Sequence, residues 1–262
     1  MRIAKVAVLV AAAAIVGSNS VAVAAPKDYC AELKGGNTGS TCEIQLSDPA
    51  YTVDISIPLN YPNQKAVADW ISQTRDGFLN VAKSGASGAT PSSLTIKPKE
   101  YTSAIPPRGT QAVVFKVTQN TGGTSAKTTW KSFNWDQTYR KEIIWTAAPD
   151  DKENTPLWRV DDPLKTVGPI VQAELQKQLA PPPPAAPPAE AGEPAAASPT
   201  PTPEPAPLPI ATPALYNPAN YQSFAVVNDG VIFFFDQGVL LPDSYGALQV
   251  LAPRSGIDPM IA

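Results

Sequence analysis

The chain has 262 residues, with 20 Lys and Arg against 23 Asp and Glu, two cysteines, 30 prolines and no histidine. Its slight acidity and the lack of any basic run in the sequence count against nucleic acid, whose phosphates need Lys and Arg. Without an imidazole there is no Ser-His-Asp triad and none of the usual catalytic zinc sites, so neither metal nor cofactor is expected.

Residues 1–24 read as an export signal. Arg2 and Lys5 precede an apolar run from Val6 to Gly17, and Ala22-Val23-Ala24 predicts cleavage between Ala24 and Ala25. The run is shorter than the roughly 20 residues that span a bilayer. An uncleaved anchor is the alternative, and no later run would hold the chain in a membrane once the signal is gone. Cleavage removes Arg2 and Lys5 and no acid, leaving 18 basic and 23 acidic residues and a net charge of −5.

Cys30 and Cys42 enclose eleven residues that include Gly35, Gly36 and Gly39. In an exported chain this pair predicts a disulfide, whose loop closure is worth about 3 kcal/mol. The alternative, a redox-active pair, lacks the Cys-x-x-Cys spacing.

Tyr51 to Leu59 alternates apolar and polar residues, the period of a half-buried strand, with Pro58 at its end. A helix follows from Pro62, with Val67, Ile71, Thr74 and Phe78 on one stripe and Ser84-Gly-Ala-Ser-Gly closing it. Strands are predicted over Leu94–Tyr101, Gln111–Gln119, Lys127–Trp135 and Glu142–Trp145, with Asn120-Thr-Gly-Gly123 as a hairpin turn. Pro169 to Leu179 reads as a second helix with Lys177 near its C-terminus.

Residues 181–213 hold 14 of the prolines. Proline lacks the amide donor and fixes φ, so this stretch is predicted as an extended, disordered segment. The 49 residues after it are too few for a core of their own. They read as two strands around Asn228-Asp-Gly230, with Phe233, Phe234 and Phe235 in a row, then a third strand from Ala247. They must pack on earlier elements. Residues 25–262 are therefore expected to be one domain interrupted by a proline-rich insertion, with the middle phenylalanine facing away from its neighbours. The insertion is read as a spacer or as a glycan-bearing segment, with mannosylation predicted at Thr200 or Thr202.

Taken together, Ile57-Pro-Leu-Asn-Tyr-Pro62, Phe133-Asn-Trp-Asp136, Pro169-Ile-Val-Gln-Ala-Glu-Leu175, Tyr221-Gln-Ser-Phe224, Phe235-Asp-Gln-Gly238 to Leu241-Pro242, and Ala252-Pro-Arg-Ser255 resemble the mycobacterial secreted immunogenic protein family. The C-terminal part is similar to the extracellular domain of RsiV-like anti-sigma factors. The resemblance implies an α+β fold, a mixed sheet with two packed helices. It also implies secretion or attachment to the cell wall or envelope. One relative of this type looks like a cell-wall esterase, and RsiV-like domains bind lysozyme.

The residues offer little for catalysis. No Gly-x-Ser-x-Gly elbow is present; a Ser-Lys arrangement is the alternative, with Ser132, Ser223, Ser244 and Ser255 available, but none lies in a catalytic motif. Asp150-Asp151 and Asp161-Asp162 read as turn residues, and no alternating carboxylates suggest a calcium loop. Asp236 and Gln237 read either as a strand-ending turn or, with Tyr245, as part of a binding surface. The expectation is an exported protein that binds a protein or cell-envelope ligand, from the cell itself or from a host. A carboxylesterase or a lysozyme-type binder is the alternative.

Overall fold

A computed structural model describes residues 27–84, 90–105, 109–148, 150–180 and 208–262. The predicted export signal with Ala24 and Ala25, most of the proline-rich stretch, and the predicted glycosylation positions Thr200 and Thr202 lie outside the described residues.

In chain order the elements are α1 (Tyr29–Glu32), β1 (Gly36–Asn37), β2 (Thr41–Asp48), β3 (Tyr51–Pro58), α2 (Gln64–Lys83), β4 (Ser92–Ser103), β5 (Thr110–Asn120), β6 (Lys127–Asp136), β7 (Lys141–Ile144), β8 (Asn154–Pro156) and α3 (Leu164–Leu179). After the proline-rich stretch come α4 (Thr212–Leu215), a 3-10 turn (Pro218–Tyr221), β9 (Phe224–Val227), β10 (Gly230–Phe235), a second 3-10 turn (Asp243–Tyr245), β11 (Leu248–Pro253), α5 (Arg254–Ile257) and a last 3-10 turn (Asp258–Met260).

β1 to β8 form one mixed sheet in sequence order, parallel at β3–β4 and β7–β8 and antiparallel elsewhere. The α+β expectation holds, with one refinement: the C-terminal meander does not join this sheet. β9, β10 and β11 make a separate three-stranded antiparallel sheet. Four layers result, because both sheets bury both faces. On one face of the large sheet, Ile55, Ile96, Val113, Phe115 and Phe133 meet Val67, Ile71 and Phe78 of α2. On the other face, Ala112 and Val114 meet Ala225 and Phe234 of the small sheet. Val113 and Phe115 thus face one layer while Ala112 and Val114 face the other, which explains the unbroken apolar run Ala112–Phe115 of a fully covered strand. The outer face of the small sheet, with Val231, Phe233 and Phe235, packs on Val167, Val171 and Leu175 of α3.

The three consecutive phenylalanines divide as pleating requires: Phe233 and Phe235 toward α3, Phe234 toward the large sheet. The Asn228-Asp229 turn leads into Gly230 at φ 150°, where any Cβ would collide with the Ala252 carbonyl, so only glycine fits. Cys30 and Cys42 form a disulfide that ties α1 to β2.

Both long helices start at residues other than the prolines nearest their predicted ends. α2 begins after Asn63, whose side chain accepts the Ala66 amide at 3.3 Å. α3 begins five residues before Pro169. The donor that Pro169 lacks would have served the carbonyl of Lys165, an exposed residue of the first turn, where water can replace it.

Candidate functional site

β6 pairs with β5 along its whole length, but its other edge meets β7 only at Trp135↔Glu142 and Asp136↔Lys141. An edge strand inside a fold needs other partners for its amides and carbonyls. The small sheet supplies them through side chains. The Trp130 amide donates to Asp236 Oδ1 at 2.6 Å, and the Thr128 amide donates to Gln237 Oε1 at 3.0 Å. The Gln237 amide returns a bond to the Thr128 carbonyl at 3.0 Å, and Ser223 Oγ donates to the Trp130 carbonyl at 3.0 Å. Further along, the Phe224 amide donates to Ser132 Oγ at 3.0 Å and Asn134 Nδ2 donates to the Phe224 carbonyl at 2.8 Å.

Asp236 therefore does not spend its carboxylate on its own turn. That turn is closed by backbone, with the Val239 amide on the Asp236 carbonyl at 3.1 Å. Gln237 also reaches the Pro242–Tyr245 loop, its Nε2 donating to the Asp243 carbonyl at 3.1 Å. Tyr245 stands 41% exposed on that loop.

A groove follows this joint. Near Asp236 it opens as a cavity of about 250 Å³ lined by Trp130, Lys131, Asn220, Gln222 and Ser223. It adjoins, through Lys131 and Gln222, a second cavity of about 250 Å³ between the diverging strands β6 and β7, lined by Ser132, Asn134, Glu142, Trp145 and Phe224. Glu142 leads on to a third cavity of about 460 Å³ walled by Trp135, Tyr139, Arg140, Lys141 and Lys152. Of the residues singled out from the sequence, Asp236 and the serines Ser132 and Ser223 line the groove. Lys131, Asn134, Glu142 and Gln222 were not anticipated as site residues, although Asn134 and Gln222 lie within the motifs Phe133-Asn-Trp-Asp136 and Tyr221-Gln-Ser-Phe224.

The groove is polar, and two of its carboxyl groups are partly buried. Burial raises the Glu142 carboxyl above the usual range, against the pull of Lys131. Burial also raises Asp236, opposed by the Trp130 amide and by Lys127. The buried Asn134 Oδ1 and Trp130 Nε1 have no hydrogen-bond partner among the described residues. Such atoms cost free energy unless something meets them.

Neither groove serine has a base; Ser56, on β3 away from the groove, does donate to Glu43 Oε2 at 2.6 Å and accept from Lys97 Nζ at 3.0 Å. Ser132 Oγ meets the Phe224 amide and, at 3.4 Å, Asn134 Nδ2, while Ser223 donates to a carbonyl. The Lys131 ammonium lies over the Phe133 ring at 5.1 Å. Ser244 and Ser255 are exposed. Asp151 caps its own loop, accepting the Glu153 and Asn154 amides at 2.8 Å each, and Asp162 pairs with Lys165 at 3.3 Å. Among the described residues no cluster could hold a metal ion, and no helix is long and apolar enough to cross a membrane.

Known proteins match in a consistent way. Residues 156–255 match the family described as a protein of unknown function, DUF3298. Solved structures of DUF3298 proteins from Bacteroides fragilis and Pseudomonas aeruginosa superpose on 87% and 85% of this chain and 96% and 92% of theirs, with TM-scores of 0.45 and 0.47 at 12% identity. The esterase Rv3036c of Mycobacterium tuberculosis is 34% identical over 88% of both chains. The immunogenic proteins MPB64 of Mycobacterium bovis and MPT64 of M. tuberculosis are 48% identical over the full length of both chains. The full-length likeness to MPB64 and MPT64 upholds the resemblance: the chain belongs to the family of these mycobacterial immunogenic proteins.

Proposed function

We propose that this protein is exported and works by binding, with the groove along the outer edge of β6 as its receptor surface. The observation that carries the reading is the run of three cavities, about 250, 250 and 460 Å³, that share the lining residues Lys131, Gln222 and Glu142. A long polar groove with few fixed hydrogen-bonding atoms suits an extended ligand. The export signal and the kinship with immunogenic proteins support a site of action outside the cytoplasm, secreted or on the wall or envelope. The partner is then a protein or envelope component, of the cell or of a host.

Capture from envelope and host extracts tests this. Lys131→Glu and Gln222→Trp alter exposed residues at the junction of two cavities. Both are expected to abolish capture while thermal stability is kept; capture unchanged by both rejects the groove. Titration with lysozyme, the partner of RsiV-like domains, tests one specific candidate.

The 34% identical esterase supports a second reading, carboxylesterase activity. With no base beside Ser132 or Ser223, the binding reading expects purified protein not to hydrolyse short acyl esters. Hydrolysis lost on replacing one serine would establish the esterase instead.

A further inference from the structure

The sequence holds no basic run, yet folding assembles a cationic end to the groove. Arg140 and Lys141 come from the β6–β7 hairpin and Lys152 from the loop before β8, and all three line one cleft with Trp135 and Tyr139. Among the described residues none of the three cations is in an ion pair, although Glu142 and Glu153 line the same cleft. The three cations outnumber the two glutamates of the lining, although Asp151 acts on Lys141 from behind, so the cleft itself suits a negatively charged ligand.

Both walls are held rigid from behind. The buried Asp136 carboxylate accepts the Thr138 and Tyr139 amides at 2.8 Å each, and Arg140 sits in the left-handed region at φ 55°. Asp151 holds the other wall through the Glu153 and Asn154 amides. A surface fixed before the ligand arrives loses less entropy on binding.

We propose that this end of the groove binds an acidic saccharide of the uronic-acid type. Carboxylates spaced one per sugar would meet Arg140, Lys141 and Lys152. The C–H face of a pyranose ring would stack on Trp135 and on Tyr139, which is 63% exposed. Glu142, Glu153 and Asn154 supply acceptors and an amide for hydroxyls. The two carboxylates disfavour densely charged phosphate chains and acidic peptides, which bring few hydroxyl donors to meet them. The proposal names the ligand class of the groove described above and rests on that reading.

The test is titration of the full chain with a short oligogalacturonate, followed by Trp fluorescence and calorimetry. Saturable binding that weakens with salt is expected. Binding should fall about tenfold or more in Arg140→Gln/Lys152→Gln, several-fold in Tyr139→Ala, and be absent for a neutral maltooligosaccharide. Absence of saturable binding overturns the proposal. So does equal binding of poly-glutamate with no effect of Tyr139→Ala, which would assign the cleft to acidic peptides. Lys131→Glu lies outside this cleft and serves as the discriminator. Extract capture that still depends on Lys131, with no uronate binding, would sink the saccharide and leave the groove reading intact.

Discussion

The two faces of the large sheet are covered by different means. On the α2 side, large side chains such as Phe115, Phe133, Ile71 and Phe78 interlock in one extensive apolar cluster. On the other side the buried apolar set is small, Ala112, Val114, Ala225 and Phe234, and the join is completed by hydrogen bonds that Asn134 and Ser223 donate and that Ser132, Asp236 and Gln237 accept. The apolar seam supplies most of the stability, since buried area sets that term. The polar seam fixes where one sheet sits on the other, because hydrogen bonds are directional where apolar contact is not. It also leaves unfilled space, and that space is the groove.

The largest effect should come from the apolar seam. Phe115→Ala is expected to cost about 3–5 kcal/mol in urea unfolding. Phe234→Ala in the smaller cluster should cost less and should speed amide exchange in β9–β11 before β2–β5. Equal costs and equal exchange would mean the two seams are energetically alike. Next, reducing the Cys30–Cys42 bond should remove about 3 kcal/mol, all on the α2 side. Asp236→Ala leaves the Trp130 amide without its acceptor and should cost about 1–2 kcal/mol. Asp236→Asn, which keeps an acceptor oxygen, should cost clearly less.

The smallest effect is one of pH. Glu142 and Asp236 have raised folded-state values, so the folded protein holds these protons more tightly than the unfolded chain. Their contribution is fully present below the ordinary carboxylate range and is lost as pH rises through the raised values. Glu142→Gln should therefore raise the neutral-pH unfolding free energy slightly, by no more than about 0.5 kcal/mol after solvent screening. A loss of stability would show that the Glu142 charge is satisfied in the folded state.

The sequence made the apolar seam legible and the polar one almost invisible. The stripe Val67-Ile71-Phe78 and the alternation of Tyr51–Leu59 announce their faces because burial follows a period. β2 carries the same alternation at Cys42, Ile44 and Leu46, but Leu46 is 37% exposed, and the strand begins inside the disulfide loop, so it passes for a connection. Ser132, Asn134 and Asp236 have no such signature. A polar residue that fastens to a distant backbone looks the same in sequence as one that points to water. The partnership of Asp236 with Trp130 spans more than a hundred residues. The cationic cleft was equally hidden, since Arg140 and Lys152 meet only once the hairpin and the following loop fold side by side.

Tyr216, just past the proline-rich stretch, lies so close to Gly168 of α3 that a Cβ there would strike its ring, and α3 packs on β11. The pieces on either side of Ala180 and Leu208 are thus joined by contact as well as by chain. A cut between those residues should leave both fragments associated, each completing the other as halves of a split protein. Expressed apart and then mixed, residues 27–180 and 208–262 should reassemble, which would make the proline-rich stretch a ready site for inserting reporters.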